Sequence, residues 1–167
     1  MYINFIKFEF ISFDLYDYNR KSFNIYEGFK DNEKESYLQG DNKFFCSMCQ
    51  RLSNSIIIRK IIQPPNNLLI YLDYGKNKKY QPSRISFDEN IDITKFVNFN
   101  FGCRIKYRII GVCVHYGESG SNGHYIAFCK HKETGQWYKF NDAICSKCNQ
   151  NEIYGGSPHL LLYERLN

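Results

Sequence analysis

Apolar residues along this chain fall in short runs, separated by breaks rich in Gly, Pro, Asn and Asp. Residues 2–16 carry Ile, Phe and Tyr in a largely alternating pattern, which predicts a strand. Residues 22–37 change character. Ser22 is placed to cap a short helix with Ile25, Tyr26 and Phe29 on one face, and Gly28 weakens it from within. Gly40-Asp41-Asn42 reads as a turn. SIIIRKII (55–62) and LLIYL (68–72) read as strands separated by Pro64-Pro65, and the polar residues 73–84 as an exposed loop.

From residue 104 the strands come quickly. RIKYRIIGVCVHY, HYIAFCK (124–130), Trp137 to Phe140 and HLLLYERL (159–166) are each bounded by turn-forming segments. That spacing predicts antiparallel strands on short loops with a little helix, all in one domain without a repeat or a linker.

Composition narrows the class. The 167 residues are 43% apolar, enough for a real core and too many for a disordered chain. The net charge of +5 is scattered, and its densest cluster (Lys76, Lys78, Lys79) reads as a solvated loop, so nucleic acid is not the expected partner. No apolar run reaches the ~18 residues a membrane span needs, and MYINFIKFEF is broken by Lys7 and Glu9 in a way signal peptides are not. Seven cysteines are an odd number, which predicts free thiols or metal ligands in the cytosol or nucleus rather than a disulfide frame.

Of the four histidines, His124 is singular, since it follows the glycine-rich loop 117–123 and opens a hydrophobic strand. A histidine held at such a junction is firm yet open to a cleft, as general-base chemistry demands. Asn141 or Asp142 is a candidate to accept its hydrogen bond and so fix the ring's tautomer. On spacing alone, a structural histidine and an ordinary Asn-Asp turn explain these residues more simply.

The combination carries more. VCVHYGESGSNGHYIAFCK followed by QWYKFNDAI resembles the histidine box of the ubiquitin-specific proteases. In the same order, LQGDNKFFCSMC resembles the segment entering a finger cysteine pair, IIIRKIIQPPNNLLIYL and ISFDENIDI the palm strands, and HLLLYERL the closing strand. EIYGG and FNIYEGF are similar to the herpesvirus-associated subgroup.

The resemblance implies an α+β, mostly antiparallel, papain-like fold of palm and part of the fingers, with most of the thumb missing. Residues 1–60 would form the fingers and adjoining segment, and 61–167 the palm. It implies a thiol-dependent deubiquitinase that cleaves after the terminal glycine of ubiquitin. His124 would be the base, Asn141 its orienting partner and Asp142 a supporting group. Gly123, Tyr125, His115 and Phe87 would line the cleft for ubiquitin's tail. Partners would be ubiquitin and ubiquitinated proteins, with no organic cofactor.

Two departures matter. The family's Gly-Asn-x-Cys nucleophile motif has no counterpart, as no Asn-x-Cys occurs here. This chain alone is therefore expected to be inactive, and the retention of both His124 and its partner points to an absent upstream part. Leu72-Asp73-Tyr74-Gly75 stands where the family commonly has Leu-Lys-Arg-Phe. The alternatives are a ubiquitin-binding or scaffold module without the nucleophile and, behind it, a zinc-organised nucleic-acid module. Cys46-x-x-Cys49 and Cys145-x-x-Cys148 each have the spacing of a zinc-binding pair, yet they lie far apart. Cys46 and Cys49 are at most half of a zinc site, and Cys103, Cys113 and Cys129 read as small buried apolar residues.

Overall fold

The computed structural model describes residues 10–15, 21–75, 84–98, 102–119 and 122–166. The basic cluster at Lys76, Lys78 and Lys79 lies outside these residues, as does most of the strand expected over 2–16.

Beta-branched and aromatic runs build one mixed sheet. Its strands are β1 (Ile11–Asp14), β7 (Asn67–Asp73), β9 (Asn90–Asp92), β10 (Lys106–Ser119), β11 (Asn122–Lys130), β12 (Trp137–Asn141), β13 (Ile144–Cys148) and β14 (Ser157–Leu166). The order is β1-β7-β14-β10-β11-β12-β13, with β9 also on β10. β1 runs parallel to β7, and the other pairs are antiparallel. β10 is long enough to pair β9 at Lys106–Arg108 and β11 from Gly111 onward. Smaller ladders join β2 (Ser22–Asn24) to β8 (Arg84–Ser86), β3 (Ser36–Leu38) to β6 (Ser55–Ile57), and β4 (Phe44–Cys46) to β5 (Arg51–Ser53).

One face of the sheet is buried by Ile70, Leu72, Tyr107, Ile109, Val112, Val114, Phe128, Leu161 and Tyr163. Helix α1 (Ile25–Asn32) brings Ile25 and Phe29 to the same core, where Phe29 stacks on Phe96 and meets Phe13 edge-on, both with ring centroids 5.0 Å apart. Each such buried side chain contributes roughly 1.5–3 kcal/mol. Gly28 lets α1 approach, because a Cβ there would overlap the Phe13 ring. The strand alternation of β10 slips by one between Ile109 and Gly111, so Tyr107 and Ile109 share the core with Val112 and Val114.

Several elements differ from expectation. The helix cap is Asn24, whose Oδ1 accepts from Tyr26 N at 2.9 Å, while Glu27 completes the capping box. Ser22 is instead engaged in the ladder with β8. SIIIRKII is a strand only at Ser55–Ile57, because β3 offers it three partners; beyond that, Ile61 makes one bridge to Val97. The loop expected at 117–123 is mostly strand, since β10 extends to Ser119 and β11 begins at Asn122. Cys103 and Cys129 are exposed, not buried: Cys103 lies outside any strand, and Cys129 pairs with Gly111 on the face away from the core. No helix among the described residues is long and apolar enough to cross a membrane.

Candidate active site

Register brings the dyad together. Tyr116 pairs with His124 across β10 and β11, and Ala127 pairs with Phe140 across β11 and β12. In β11, His124 alternates with the buried Ile126 and Phe128, so its ring stands at the end of the core face. Asn141 ends β12 one pleat further, and its Oδ1 lies 2.5 Å from His124 Nε2. An amide oxygen only accepts, so Nε2 carries the hydrogen and Nδ1 holds the lone pair. That makes Nδ1 the basic nitrogen. Asp142 follows in the tight turn to β13 with φ of 50°, which Asp tolerates better than most residues. Its Oδ2 is 3.8 Å from the same Nε2, but with 82% of its side chain exposed its charge is well screened. The His124 side chain is 45% exposed, enough to meet a reactant.

The other face of β10 and β11 builds an aromatic wall beside the dyad. His115 is 8% exposed and sits 4.7 Å from the Tyr125 ring, its register partner. Gly123 makes this possible, since a Cβ there would overlap the His115 imidazole and crowd the Tyr116 carbonyl. Half of Tyr125 is solvent-exposed. Phe87, by contrast, is buried in the core, its ring 5.0 Å from that of Tyr154.

Three residues beside the site were not singled out from sequence: His159 and Tyr74 in the wall, and Tyr116 on the dyad's own face as the register partner of His124. Between Cys113 and Val114 the ladder to β14 slips, and His159 is left as the extra residue. The bulge aims it at His115 (5.5 Å), Tyr125 (5.3 Å) and Tyr74 (4.6 Å). Burial holds the His159 imidazole below its ordinary pKa, with the neighbouring His115 adding to this and Asp73 opposing it. Tyr74 donates to the Pro158 carbonyl at 2.9 Å, and burial raises its phenol, which a bond from Ser157 partly offsets. Tyr116 rests on Gly155 and Gly156, where a Cβ would crowd its ring. The only available hint was that Gly-Gly follows Tyr154, leaving room for a ring; nothing in the sequence marks the bulge.

The cysteine pairs do not combine. Cys145 pairs with Phe140 and Cys148 with Trp137, so the two occupy opposite faces of β13 and do not converge on one ion. Cys46 and Cys49 lie at the β4–β5 turn, and among the described residues no three His, Cys, Asp or Glu side chains cluster as a metal site would need. By the donor set present, that pair fits zinc as half of a tetrahedral shell.

With this geometry in view, the chain matches the family model of ubiquitin carboxyl-terminal hydrolases over residues 18–163. It is 34% identical over 130 residues to ubiquitin carboxyl-terminal hydrolase 48 of Gallus gallus, covering 74% of this chain and 12% of that protein. Ubiquitin carboxyl-terminal hydrolase 17-like protein B of Mus musculus is 25% identical over 145 residues, covering 86% of this chain and 31% of the relative. The structure of the yeast SAGA DUBm with an Sgf73 mutant superposes with a TM-score of 0.74 at 27% identity, over 96% of this chain and 36% of that one. The SAGA Ubp8/Sgf11/Sus1/Sgf73 DUB module bound to ubiquitin aldehyde gives a TM-score of 0.73, with the same identity and coverage. The fold is thus the strand-rich, papain-like α+β architecture of these proteins, and the chain spans a third or less of the curated relatives it matches.

Proposed function

The chain belongs to the ubiquitin carboxyl-terminal hydrolase family, and on that premise we propose that it supplies the base side of a thiol-dependent deubiquitinase acting after ubiquitin's terminal glycine. The carrying observation is the short His124–Asn141 contact, which leaves Nδ1 as a lone-pair nitrogen on an accessible ring.

The chemistry follows from that nitrogen. Nδ1 takes the proton of a cysteine thiol, and the thiolate attacks the carbonyl of the scissile bond. The imidazolium then gives its proton to the departing lysine amine. Asn141 is the positioning residue, holding the ring through Nε2–H. As a carboxamide it stabilises the imidazolium less than a carboxylate does, and Asp142 adds a screened charge nearby. Gly123, Tyr125 and His115 form the channel wall for a diglycine tail, joined by Tyr74 and His159, while Phe87 supports from the core. Thiol and imidazole move every proton themselves, so this reading invokes no organic cofactor; the Cys46–Cys49 pair would serve a zinc ion only structurally.

None of the seven cysteines takes the nucleophile's role in this reading. Burial pushes the Cys113 and Cys148 thiols up, and Cys46 and Cys49 belong to a separate hairpin. In this reading the thiol is supplied from outside these 167 residues, which by themselves would not hydrolyse the bond. The protein works in the cytosol or nucleus, a reading supported by its seven free thiols.

The test is made in the longer protein that carries the thiol. There His124→Ala lowers hydrolysis of a ubiquitin C-terminal fluorogenic amide by roughly 10²–10⁴-fold. Asn141→Ala is also impaired, whereas Asn141→Asp stays active. Undiminished turnover in His124→Ala removes the proposed base. One observation favours a second reading: the half-exposed Tyr125 wall sits in a chain with no assigned nucleophile, which suits a module that holds ubiquitin without cutting it. Ubiquitin binding to the isolated chain that Tyr125→Ala weakens, with no hydrolysis in the longer protein, selects that reading.

A further inference from the structure

His124 has aromatic neighbours on both faces of the β10–β11 ladder. His115 and Tyr125 stand on the face of the channel wall. Tyr116, the register partner of His124, shares the dyad's own face. Facing partners in an antiparallel pair have Cβ atoms about 4.5–5.5 Å apart, so the Tyr116 side chain starts beside the imidazole. Its ring is 39% exposed.

That ring lies over a bare floor. A Cβ on Gly155 would come within 3.2 Å of the Tyr116 hydroxyl, and one on Gly156 within 3.1 Å of the ring itself. A side chain at either position would push the ring aside. The floor is also held in place. The single-turn 3-10 helix Gln150–Tyr154 is capped by Glu152, whose Oε1 accepts from Asn149 N at 2.9 Å. The Gly155 N–H donates to the Glu152 carbonyl at 3.1 Å, and Ile153 is fully buried. Tyr154 keeps its ring 5.0 Å from that of the buried Phe87.

We propose that Tyr116 is the specificity residue for the departing amine, its ring receiving the four-methylene stem of the substrate lysine. This rests on the deubiquitinase reading above and deepens it. The scissile bond has two sides. The diglycine tail, on the acyl side, has its wall on the opposite face, at Tyr125 and His115. The leaving amine must reach the same Nδ1, because that nitrogen returns the proton to it. Asn141 holds Nε2 on the β12 side. Nδ1 therefore opens away from β12, and β10 with Tyr116 is the strand on that side. A half-exposed ring on a fixed floor takes up an alkyl stem without losing much freedom of its own.

The test uses the longer protein that carries the thiol and three ubiquitin C-terminal amides: the methylamide, the n-butylamide and the isopeptide to a lysine Nε in a short peptide. Each releases an alkylamine of similar basicity, and they differ in the stem. Three added methylenes should raise kcat/KM for the butylamide roughly tenfold over the methylamide. Tyr116→Ala should bring the two amides within about twofold of each other, whereas Tyr116→Phe keeps the preference. The isopeptide should follow the butylamide in both variants. Each ratio is taken within one preparation, so a smaller folded fraction lowers both rates and leaves the ratio unchanged. A merely structural ring gives that result, equal losses with the preference kept in Tyr116→Ala, and it overturns the proposal. So does unmodified protein that cleaves methylamide and butylamide equally, or an isopeptide rate that Tyr116→Ala leaves intact. Hydrolysis of none of the three amides by the unmodified protein overturns the deubiquitinase reading itself, and this inference with it.

Discussion

The sheet and the β3–β6 and β4–β5 ladders spend similar apolar residues to opposite effect. In the sheet, Leu161 and Tyr163 are 0% exposed, whereas in the small ladders Tyr37 is 62%, Phe45 53%, Leu52 63% and Ile56 52% exposed. The difference is the second layer. Below the sheet, α1, Phe23 and Phe96 close over the apolar face; above the short ladders, no described residue does so to a comparable degree. An apolar run therefore announces a strand, while burial depends on whether a distant segment comes to cover it.

That contrast can be broken most forcefully at its centre. Tyr163→Ala removes a fully buried ring whose hydroxyl donates to the Asp88 carbonyl at 2.8 Å, and it should cost about 3–5 kcal/mol in urea unfolding. A cost below about 1 kcal/mol means the sheet's core is not the stability centre. Gly28→Ala comes next, at about 1–3 kcal/mol, because the new methyl meets Phe13. Phe13→Leu should rescue part of that loss, and additive effects in the double mutant would show that the two do not touch.

The acid side offers a smaller handle. The half-buried His159 has a lowered pKa in the fold, so between that value and the ordinary 6.5 the unfolded chain binds more protons than the native one. Stability therefore falls as pH drops through 6.5 and the range just below. His159→Phe should flatten that part of the stability–pH curve, and an unchanged slope assigns the loss to other groups. Smallest of all, Leu52→Ala in the exposed ladder should shift stability by no more than about 0.5 kcal/mol; a larger loss means its surface is covered in solution.

The long strands were legible because their residues are apolar on the core face and end at Gly, Asn and Asp turns, as at 106–119 and 157–166. β13 was not, because ICSKC is exposed and polar; the tight turn at Asp142-Ala143 and the Gln136 side chain, which donates to the Cys148 carbonyl at 3.0 Å, hold it in place. Asn24 displaced Ser22 as cap through a ladder contact with β8, 62 residues away in sequence, that local propensity cannot see. At the site, His124 and Asn141 stood out only when their motifs were read together, since neither spacing nor residue type alone outweighs a structural histidine and a turn. His159 was invisible because its aim depends on a bulge rather than on a pattern.

The placement of β14 bears on how the molecule is made. The last strand of the sheet in chain order lies between β7 and β10, near the middle of the sheet. During synthesis, both neighbours leave the ribosome first, with open edges, and must wait for β14 to insert. Pairings so distant along the chain are slow to form and leave sticky edges on view meanwhile. A nascent chain arrested before Ser157 would expose two hydrogen-bonding edges at once, so chaperone dependence should fall once Ser157–Leu166 has emerged.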